Sequence, residues 1–208
     1  RFCHFGVATA KMAVKDADID ISREKSSRCG VCFGTTIGAE NDIYEHQHRR
    51  FLEFGPKAVG RYTAPEVTPH VATGYICSEL KITGPNSTLS SGCSSGLDIV
   101  NWGYSMIRGG EVDMAVVGCA DSMRFPFAMS TFCSLGILSK RNEEPEKASR
   151  PYDNDRDGLV ASEGGVSIVV EDLNHALERD ANIYAEIVSY ATACEAQDVF
   201  HVELNGKT

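Results

Sequence analysis

The stretch NSTLSSGCSSGLDIVNWG, residues 86–103, places Cys93 among small residues and follows it with an amphipathic pattern. Apolar residues recur at helical spacing after the cysteine: Leu97, Val100, Tyr104 and Ile107. This spacing predicts a helix that begins at about Ser94. The serine and glycine residues on both sides of Cys93 predict a tightly turned backbone with little side-chain bulk over the sulfur.

A cysteine at the start of a helix can act as a nucleophile. The unpaired backbone N–H groups and the positive end of the helix dipole favour thiolate over thiol. The same N–H groups can stabilise an oxyanion on a thioester carbonyl. The arrangement is mechanically similar to a strand-to-helix nucleophile elbow, although the G-x-S-x-G pattern is absent. A small buried cysteine in a tight turn fits the local residues equally well, so both interpretations stay open at this point.

Strands alternate with helices on both sides of this stretch. Strands are predicted at 29–38, 111–121, 165–170 and 183–191. Further helices are predicted at 42–55, 66–80 and 171–180, and a loop-rich region at 122–163. The alternation predicts a layered α/β fold with a largely parallel sheet.

Composition limits the function classes that this chain of 208 residues can serve. A formal net charge of −9 provides no broad cationic surface, so nucleic acid and anionic membranes are not expected as partners. No apolar run approaches the ~18 residues needed to cross a bilayer, and charge interrupts the N-terminal RFCHFGVATAK too early for a secretory signal. The eight cysteines are scattered through apolar segments rather than arranged as a disulfide framework. We therefore expect reduced thiols and a cytoplasmic location.

Two patterns suggest metal or redox chemistry but have better explanations. Cys29 and Cys32 form a C-x-x-C, yet residues three apart in a strand point to opposite faces, which favours core packing. The stretch DNDRDGLVASEG, 153–164, begins like an EF-hand loop, but its glutamate comes one position early and a predicted strand follows it. No metal site is expected.

Three segments in order carry a resemblance to a known family: 84–122, GPNSTLSSGCSSGLDIVNWGYSMIRGGEVDMAVVGCADS; 138–165, LSKRNEEPEKASRPYDNDRDGLVASEGG; and 174–191, NHALERDANIYAEIVSYA. The chain resembles the β-ketoacyl-acyl-carrier-protein synthases of the thiolase-like superfamily, in particular the elongating type of fatty-acid and polyketide synthesis. The resemblance implies an α/β/α/β/α layered fold. Residues 1–182 would be the N-terminal half without its opening strand, and 183–208 the start of the C-terminal half.

The resemblance also implies roles for particular residues. Cys93 falls on the acyl-accepting nucleophile of the family, preceded here by Gly92 where many relatives have alanine. Phe132 falls on an aromatic residue that borders the acyl pocket; an ordinary core phenylalanine is the alternative. Asp157 and Glu163 belong to the R-P-x-D-x-x-R-D-G loop region, which supports the active site.

The family completes its site with two histidines, in H-G-T-G-T-type and G-H segments, and with a lysine between them. The six histidines of this chain lie in no such context, and none is assigned a catalytic role: His4, His46, His48, His70, His175 and His201. His46 and His48 on a polar stretch, and His175 on a charged helix, are expected at the solvated surface.

The implied reaction is a decarboxylative Claisen condensation. Cys93 would accept an acyl group from an acyl carrier protein, and a malonyl-type carrier-protein thioester would lose carbon dioxide and attack it. No metal or organic cofactor is expected. The implied assembly is a homodimer, or a heterodimer with a related subunit, with residues 86–92 at the interface. Two alternatives remain: a non-catalytic partner subunit such as a chain-length factor, and an acyl transferase or thioesterase-like relative that uses the cysteine alone.

Overall fold

A computed structural model of the chain describes residues 1–38 and 40–196. The seven α-helices in this part of the chain are α1 (Phe2–Asp16), α2 (Glu40–Phe54), α3 (Thr63–Val67), α4 (Val71–Leu80), α5 (Ser95–Arg108), α6 (Pro126–Leu135) and α7 (Leu173–Glu178). The strands are β1 (Cys29–Gly34), β2 (Asn86–Leu89), β3 (Met114–Ser122) and β4 (Glu163–Glu171). Short 3₁₀ turns lie at Ser26–Arg28, Pro56–Ala58 and Pro145–Lys147.

The strands form one four-stranded sheet in the order β2-β1-β3-β4. β1 runs parallel to both β2 and β3, whereas β4 runs antiparallel to β3. The prediction of a layered α/β fold with a largely parallel sheet is therefore confirmed. Because β1 and β3 end at the same edge of the sheet, the turns that follow them lie beside the turn that follows β2.

Helices cover both faces of the sheet. On one face, Val31, Phe33 and Val116 pack in a core cluster with residues of α1 and α4. On the other face, Cys32 and Val117 pack with Ile99 of α5. Alternate residues of β1 and β3 thus point to opposite layers, and burial on both sides explains why these strands are apolar almost throughout. Cys29 and Cys32 belong to different clusters, as expected for core packing.

The structure differs from the sequence prediction at two helices. The predicted helix 66–80 is divided into α3 and α4 around Pro69, because a proline disfavours helical geometry in the residue before it. α6 lies within 122–163, which was predicted to be loop-rich. It begins with Pro126 at its first position and ends at Gly136, which has a left-handed conformation with φ +70°. Both residues are typical helix-boundary signals that the sequence prediction missed.

The predicted strand 183–191 is wrong, because residues 181–196 have no regular secondary structure. A strand requires a neighbouring backbone with free N–H and C=O groups. This segment instead contacts side chains of α5: the hydroxyl of Tyr104 donates to the carbonyl of Val188 at 3.3 Å, and Ile187 packs against the cluster around Ile99. The expected start of a second half, 183–208, falls partly outside the described residues.

Candidate active site

Cys93 lies exposed in the short turn that joins β2 to α5. β2 ends at Leu89 and α5 begins at Ser95, so the predicted helix start at about Ser94 is confirmed. Gly92 has φ +67°, a left-handed conformation that side-chain-bearing residues rarely adopt. A glycine directly before the cysteine therefore allows the chain to reverse sharply and leaves the thiol at the surface.

Serine side chains hold this turn in shape. The hydroxyl of Ser95 donates to the carbonyl of Gly92 at 2.7 Å and accepts the backbone N–H of Ser91 at 2.9 Å. The hydroxyl of Ser94 donates to the carbonyl of Ser91 at 2.9 Å. Ser95 is buried against the sheet. The run of small hydroxyl residues therefore fixes a turn of tight geometry with local hydrogen bonds.

A carboxylate in the first turn of α5 extends this network. Asp98 accepts hydrogen bonds from the hydroxyls of Ser91 and Tyr190. These bonds, first that from Ser91, hold the pKa of Asp98 below its ordinary value. Tyr190 belongs to the irregular segment 181–196. The turn that carries Cys93 is thus tied to a part of the chain almost a hundred residues away.

The thiols differ sharply in their surroundings. Burial raises the pKa of Cys29 to about 11 and that of Cys32 to about 12. Burial also raises the pKa values of Cys3, Cys77 and Cys119. Thiolates are the reactive form of cysteine, so these five side chains are poor nucleophiles near neutral pH. The three exposed cysteines are Cys93, Cys133 and Cys194.

Two side chains beside the turn were missed by the sequence analysis. The carboxylate of Asp121 near the end of β3 accepts hydrogen bonds from Thr35 and from backbone N–H groups of the segment after β1. In that segment, the hydroxyl of Thr36 donates to the carbonyl of Gly92 at 2.9 Å. The sequence did contain a signal for this contact, because polar residues that follow the carboxyl ends of parallel strands lie together at one edge of the sheet.

Glu163, predicted to support the active site, lies at this same edge. It pairs with Ser122 in the register of β3 and β4, and its carboxylate accepts the hydroxyl of Ser122 at 2.9 Å. Arg124 and Arg1 approach it at 3.2 and 3.1 Å. The hydrogen bond from Ser122, together with the two arginines, holds the pKa of Glu163 below its ordinary value. Glu163 therefore anchors the strand end that also carries Asp121.

Asp157 organises a different stretch. Its carboxylate accepts the hydroxyl of Ser139 at 2.7 Å and the backbone N–H of Lys140 at 3.0 Å, and Arg141 Nε lies 3.5 Å away. The bond from Ser139 is the main cause of a lowered Asp157 pKa. The carboxylate thus joins the R-P-x-D-x-x-R-D-G loop to the segment after α6. Phe132 lies half-buried on α6.

The histidines occupy two kinds of environment. His4, His46, His48 and His70 are exposed, and His201 lies outside the described residues. The prediction of a solvated surface position is wrong for His175, whose ring nitrogens lie 2.6 Å from Glu171 and 3.2 Å from Glu24. The sequence analysis placed His175 on a charged helix, but its partner Glu24 comes from a distant part of the sequence.

Within the described residues, no cluster of histidine, cysteine and carboxylate side chains is arranged to hold a metal ion. Across the same part of the chain, none of the helices combines the length and the apolar character that a membrane span requires.

The sequence profile described as beta-ketoacyl synthase, N-terminal domain, matches residues 1–176. The protein named 3-oxoacyl-[acyl-carrier-protein] synthase 2 of Vibrio cholerae serotype O1 is 34% identical over 195 residues, which are 94% of this chain and 47% of the relative. The Staphylococcus aureus protein of the same name is 33% identical over 202 residues, 97% of this chain and 49% of the relative. The chain thus spans about half the length of these curated relatives.

Solved structures of ketosynthases are also similar to this chain. The ishigamide ketosynthase/chain length factor superposes with a TM-score of 0.84 at 32% identity, over 95% of this chain and 47% of that one. A type II polyketide synthase acyl-carrier protein in complex with its ketosynthase, bound to the hexaketide, gives a TM-score of 0.81 at 27% identity, over 88% of this chain and 46% of that one. The layered fold therefore matches that of ketosynthases.

Proposed function

Because the chain belongs to the β-ketoacyl synthase family, we propose that it carries the acyl-accepting site of an enzyme that joins two acyl units by decarboxylative Claisen condensation. Cys93 is the proposed nucleophile. The observation that carries this assignment is the exposed position of Cys93 on the glycine-dependent turn at the start of α5. Burial raises the pKa of five of the eight thiols. Besides Cys93, the exposed thiols are Cys133 near the end of α6 and Cys194 in the irregular segment.

The proposed reaction has two stages. The Cys93 thiolate attacks the carbonyl carbon of an acyl thioester, the carbonyl electrons move onto oxygen, and collapse of this tetrahedral intermediate expels the carrier thiolate. The backbone N–H of Cys93 would donate to the oxyanion. A malonyl-type thioester then loses carbon dioxide, and the resulting enolate carbon attacks the acyl-cysteine and releases the Cys93 thiolate. In the family two histidines assist this second stage.

Supporting residues follow from the same proposal. Phe132 would border the acyl chain with its aromatic ring, while Asp157 and Glu163 would keep the surrounding loops in position. Their hydrogen bonds support this assignment, since each carboxylate joins two separate segments of chain. The proposed partner is an acyl carrier protein that bears acyl or malonyl groups. A cytoplasmic location belongs to the proposal as well, supported by the eight cysteines, all of them free.

A dimer is the proposed assembly, either of two copies or with a related subunit. β2 is the outermost strand of the sheet and pairs only with β1 among the described strands. An unpaired strand edge of this kind can add a strand from a second chain. The residues Asn86–Leu89 carry no charge that would oppose such pairing. Cys93 follows this strand closely, so the interface would lie next to the reactive thiol.

The test is covalent acyl loading of the full-length protein. Incubation with an acyl carrier protein that bears a radiolabelled acyl group should label the wild type, and Cys93→Ala should remove the label. Cys133→Ala is the matched control, because Cys133 is also exposed but lies in the last turn of α6. Undiminished loading of the Cys93→Ala protein would show that the mechanism is wrong.

The same experiment separates the two alternatives. A non-catalytic partner subunit would remain unlabelled in its wild-type form. An acyl transferase relative would be labelled at Cys93 but would form no carbon–carbon bond when a malonyl carrier protein is added. We therefore expect labelling followed by appearance of a β-ketoacyl product that contains both units.

A further inference from the structure

The segment after β1 wraps around one carboxylate of the neighbouring strand. Asp121 Oδ1 accepts the hydroxyl of Thr35 at 2.8 Å and the backbone N–H of Ile37 at 2.9 Å. Asp121 Oδ2 accepts the backbone N–H of Thr36 at 2.8 Å. The hydroxyl of Thr35 also accepts the N–H of Gly38 at 2.9 Å, and Thr35 is buried. Hydrogen bonds to a charged acceptor are the stronger kind, so residues 35–38 are firmly held.

This held segment reaches the nucleophile turn through one hydroxyl. Thr36 Oγ1 donates to the carbonyl oxygen of Gly92 at 2.9 Å. The same oxygen accepts the hydroxyl of Ser95 at 2.7 Å. Ser95 belongs to the helix that the turn itself begins, whereas Thr36 connects the turn to a different strand. Thr36 is thus a link between Cys93 and the rest of the sheet edge.

The carbonyl of Gly92 and the N–H of Cys93 belong to one peptide unit. A peptide bond is planar, and in the trans form its C=O and N–H point in opposite directions. All peptide bonds among the described residues are trans. A hydrogen bond that fixes the direction of the Gly92 carbonyl therefore also fixes the direction of the Cys93 N–H.

We propose that Thr36 is a positioning residue that aims the Cys93 N–H at the thioester oxyanion, with Asp121 as its anchor. The inference rests on the proposed function, in which this N–H stabilises the oxyanion. Thr36 acts through the peptide unit and does not touch the acyl group. Its effect is confined to the step in which carbonyl electrons move onto oxygen, because an N–H donor aimed in advance stabilises that charge best.

The test compares two reactions of the same thiol in the full-length protein. Acyl loading from hexanoyl-N-acetylcysteamine passes through an oxyanion, whereas alkylation by iodoacetamide displaces iodide and forms none. Thr36→Val should slow loading by about tenfold. Complete loss of an oxyanion donor typically slows a reaction by about 10²–10³-fold. The smaller effect is expected because Ser95 still holds the Gly92 carbonyl. The alkylation rate of Cys93 should stay within about twofold of wild type. Thr36→Ser keeps the hydroxyl and should restore loading.

Matched variants make the result specific. Thr83→Val removes another exposed threonine hydroxyl and should load at the wild-type rate. That hydroxyl is hydrogen-bonded to the hydroxyl of Ser26 at 2.8 Å, near the starts of β1 and β2. Thr36→Ala lacks the bulk of valine and should be as slow as Thr36→Val. Wild-type loading by Thr36→Val or by Thr36→Ala, or an equal fall in loading and alkylation, would overturn the positioning role. Absence of loading in the wild-type protein would instead contradict the proposed function, and the positioning role with it.

Discussion

At the scale of single residues, helix position distinguishes the exposed thiols from one another. Cys93 precedes the first turn of α5, where the dipole stabilises negative charge, whereas Cys133 lies in the last turn of α6, where it does not. Glycine and serine neighbours leave room for a reagent at Cys93. Alkylation requires the thiolate form of cysteine, so the electrostatic environment at a helix end should affect its rate directly.

We therefore predict that Cys93 is the thiol that limiting iodoacetamide modifies first. Mass spectrometry after brief treatment of the folded protein should find the label chiefly on the peptide that contains Cys93. Cys133 provides the internal comparison, because it is also exposed but lies near the C-terminal end of a helix. Preferential labelling of Cys29 or Cys32 would contradict the structure, since burial raises their pKa values to about 11 and about 12.

At the scale of elements, the packing of α5 on the sheet depends on a close approach at Gly103. A Cβ atom at this position would lie 2.6 Å from Val170 Cγ2 and 2.9 Å from Val117 Cγ1. Gly74 in α4 is the natural comparison, because a Cβ atom there would meet no atom within 4 Å. Substitution by alanine should therefore have opposite effects on stability at these two helical glycines.

We expect Gly103→Ala to lower the free energy of unfolding by about 1–3 kcal/mol, the usual cost of overpacking. Gly74→Ala should raise it by about 0.5–1 kcal/mol, because alanine loses less backbone entropy in a helix. Urea denaturation followed by circular dichroism measures both. Equal effects of the two substitutions would mean that α5 does not approach the sheet as closely as described.

A second element-scale feature joins α7 to the end of β4. Glu171 accepts two hydrogen bonds from Arg179, at 2.7 and 2.8 Å, and contacts His175. Burial disfavours the charged ring of His175, but Glu171 and Glu24 outweigh it and raise the His175 pKa. A raised pKa in the folded state means that protonation stabilises the fold. The contribution is complete below the ordinary histidine pKa of about 6.5 and is lost as pH rises through the folded value.

His175→Gln should therefore weaken the fold more at about pH 6 than at about pH 8.5. The measurement is the urea midpoint of wild type and variant at both pH values. His46→Gln on α2 serves as the control, because His46 is exposed, and it should change the midpoint little at either pH. A destabilisation by His175→Gln that grows with pH would show that the charged ring does not contribute as proposed.

At the scale of the whole molecule, the sheet has two different edges. β2 forms one edge and β4 the other. Leu89 at the end of β2 is half-buried, and Leu177 on α7 lies 60% exposed beyond β4. If the dimer forms through β2, a charged side chain should interfere with assembly at Leu89 and not at Leu177.

Light scattering should give a dimer for the full-length wild type and for Leu177→Arg, and a monomer for Leu89→Arg, at micromolar concentration. Circular dichroism of each variant checks that the fold is retained. A monomeric wild type, or a folded Leu89→Arg dimer with unchanged acyl loading, would exclude the interface through β2.

Local sequence patterns were enough to predict the elements that depend on neighbouring residues. Apolar spacing after Cys93 predicted the start of α5, and apolar runs predicted β1, β3 and β4, because periodicity and burial on both sides are local signals. The same signal failed for 183–191. An apolar run indicates that a strand is possible, but a ladder also requires a partner backbone.

Contacts between distant residues, by contrast, could be seen only in the folded chain. Leu97, part of the predicted apolar stripe of α5, is 70% exposed, whereas Ile99 and Gly103 face the sheet. Thr36 reaches Gly92 across 56 residues, and Thr35 reaches Asp121 across 86. Such pairs leave no periodic trace in the sequence, because the strand order that brings them together is set by packing of the complete sheet between its helices.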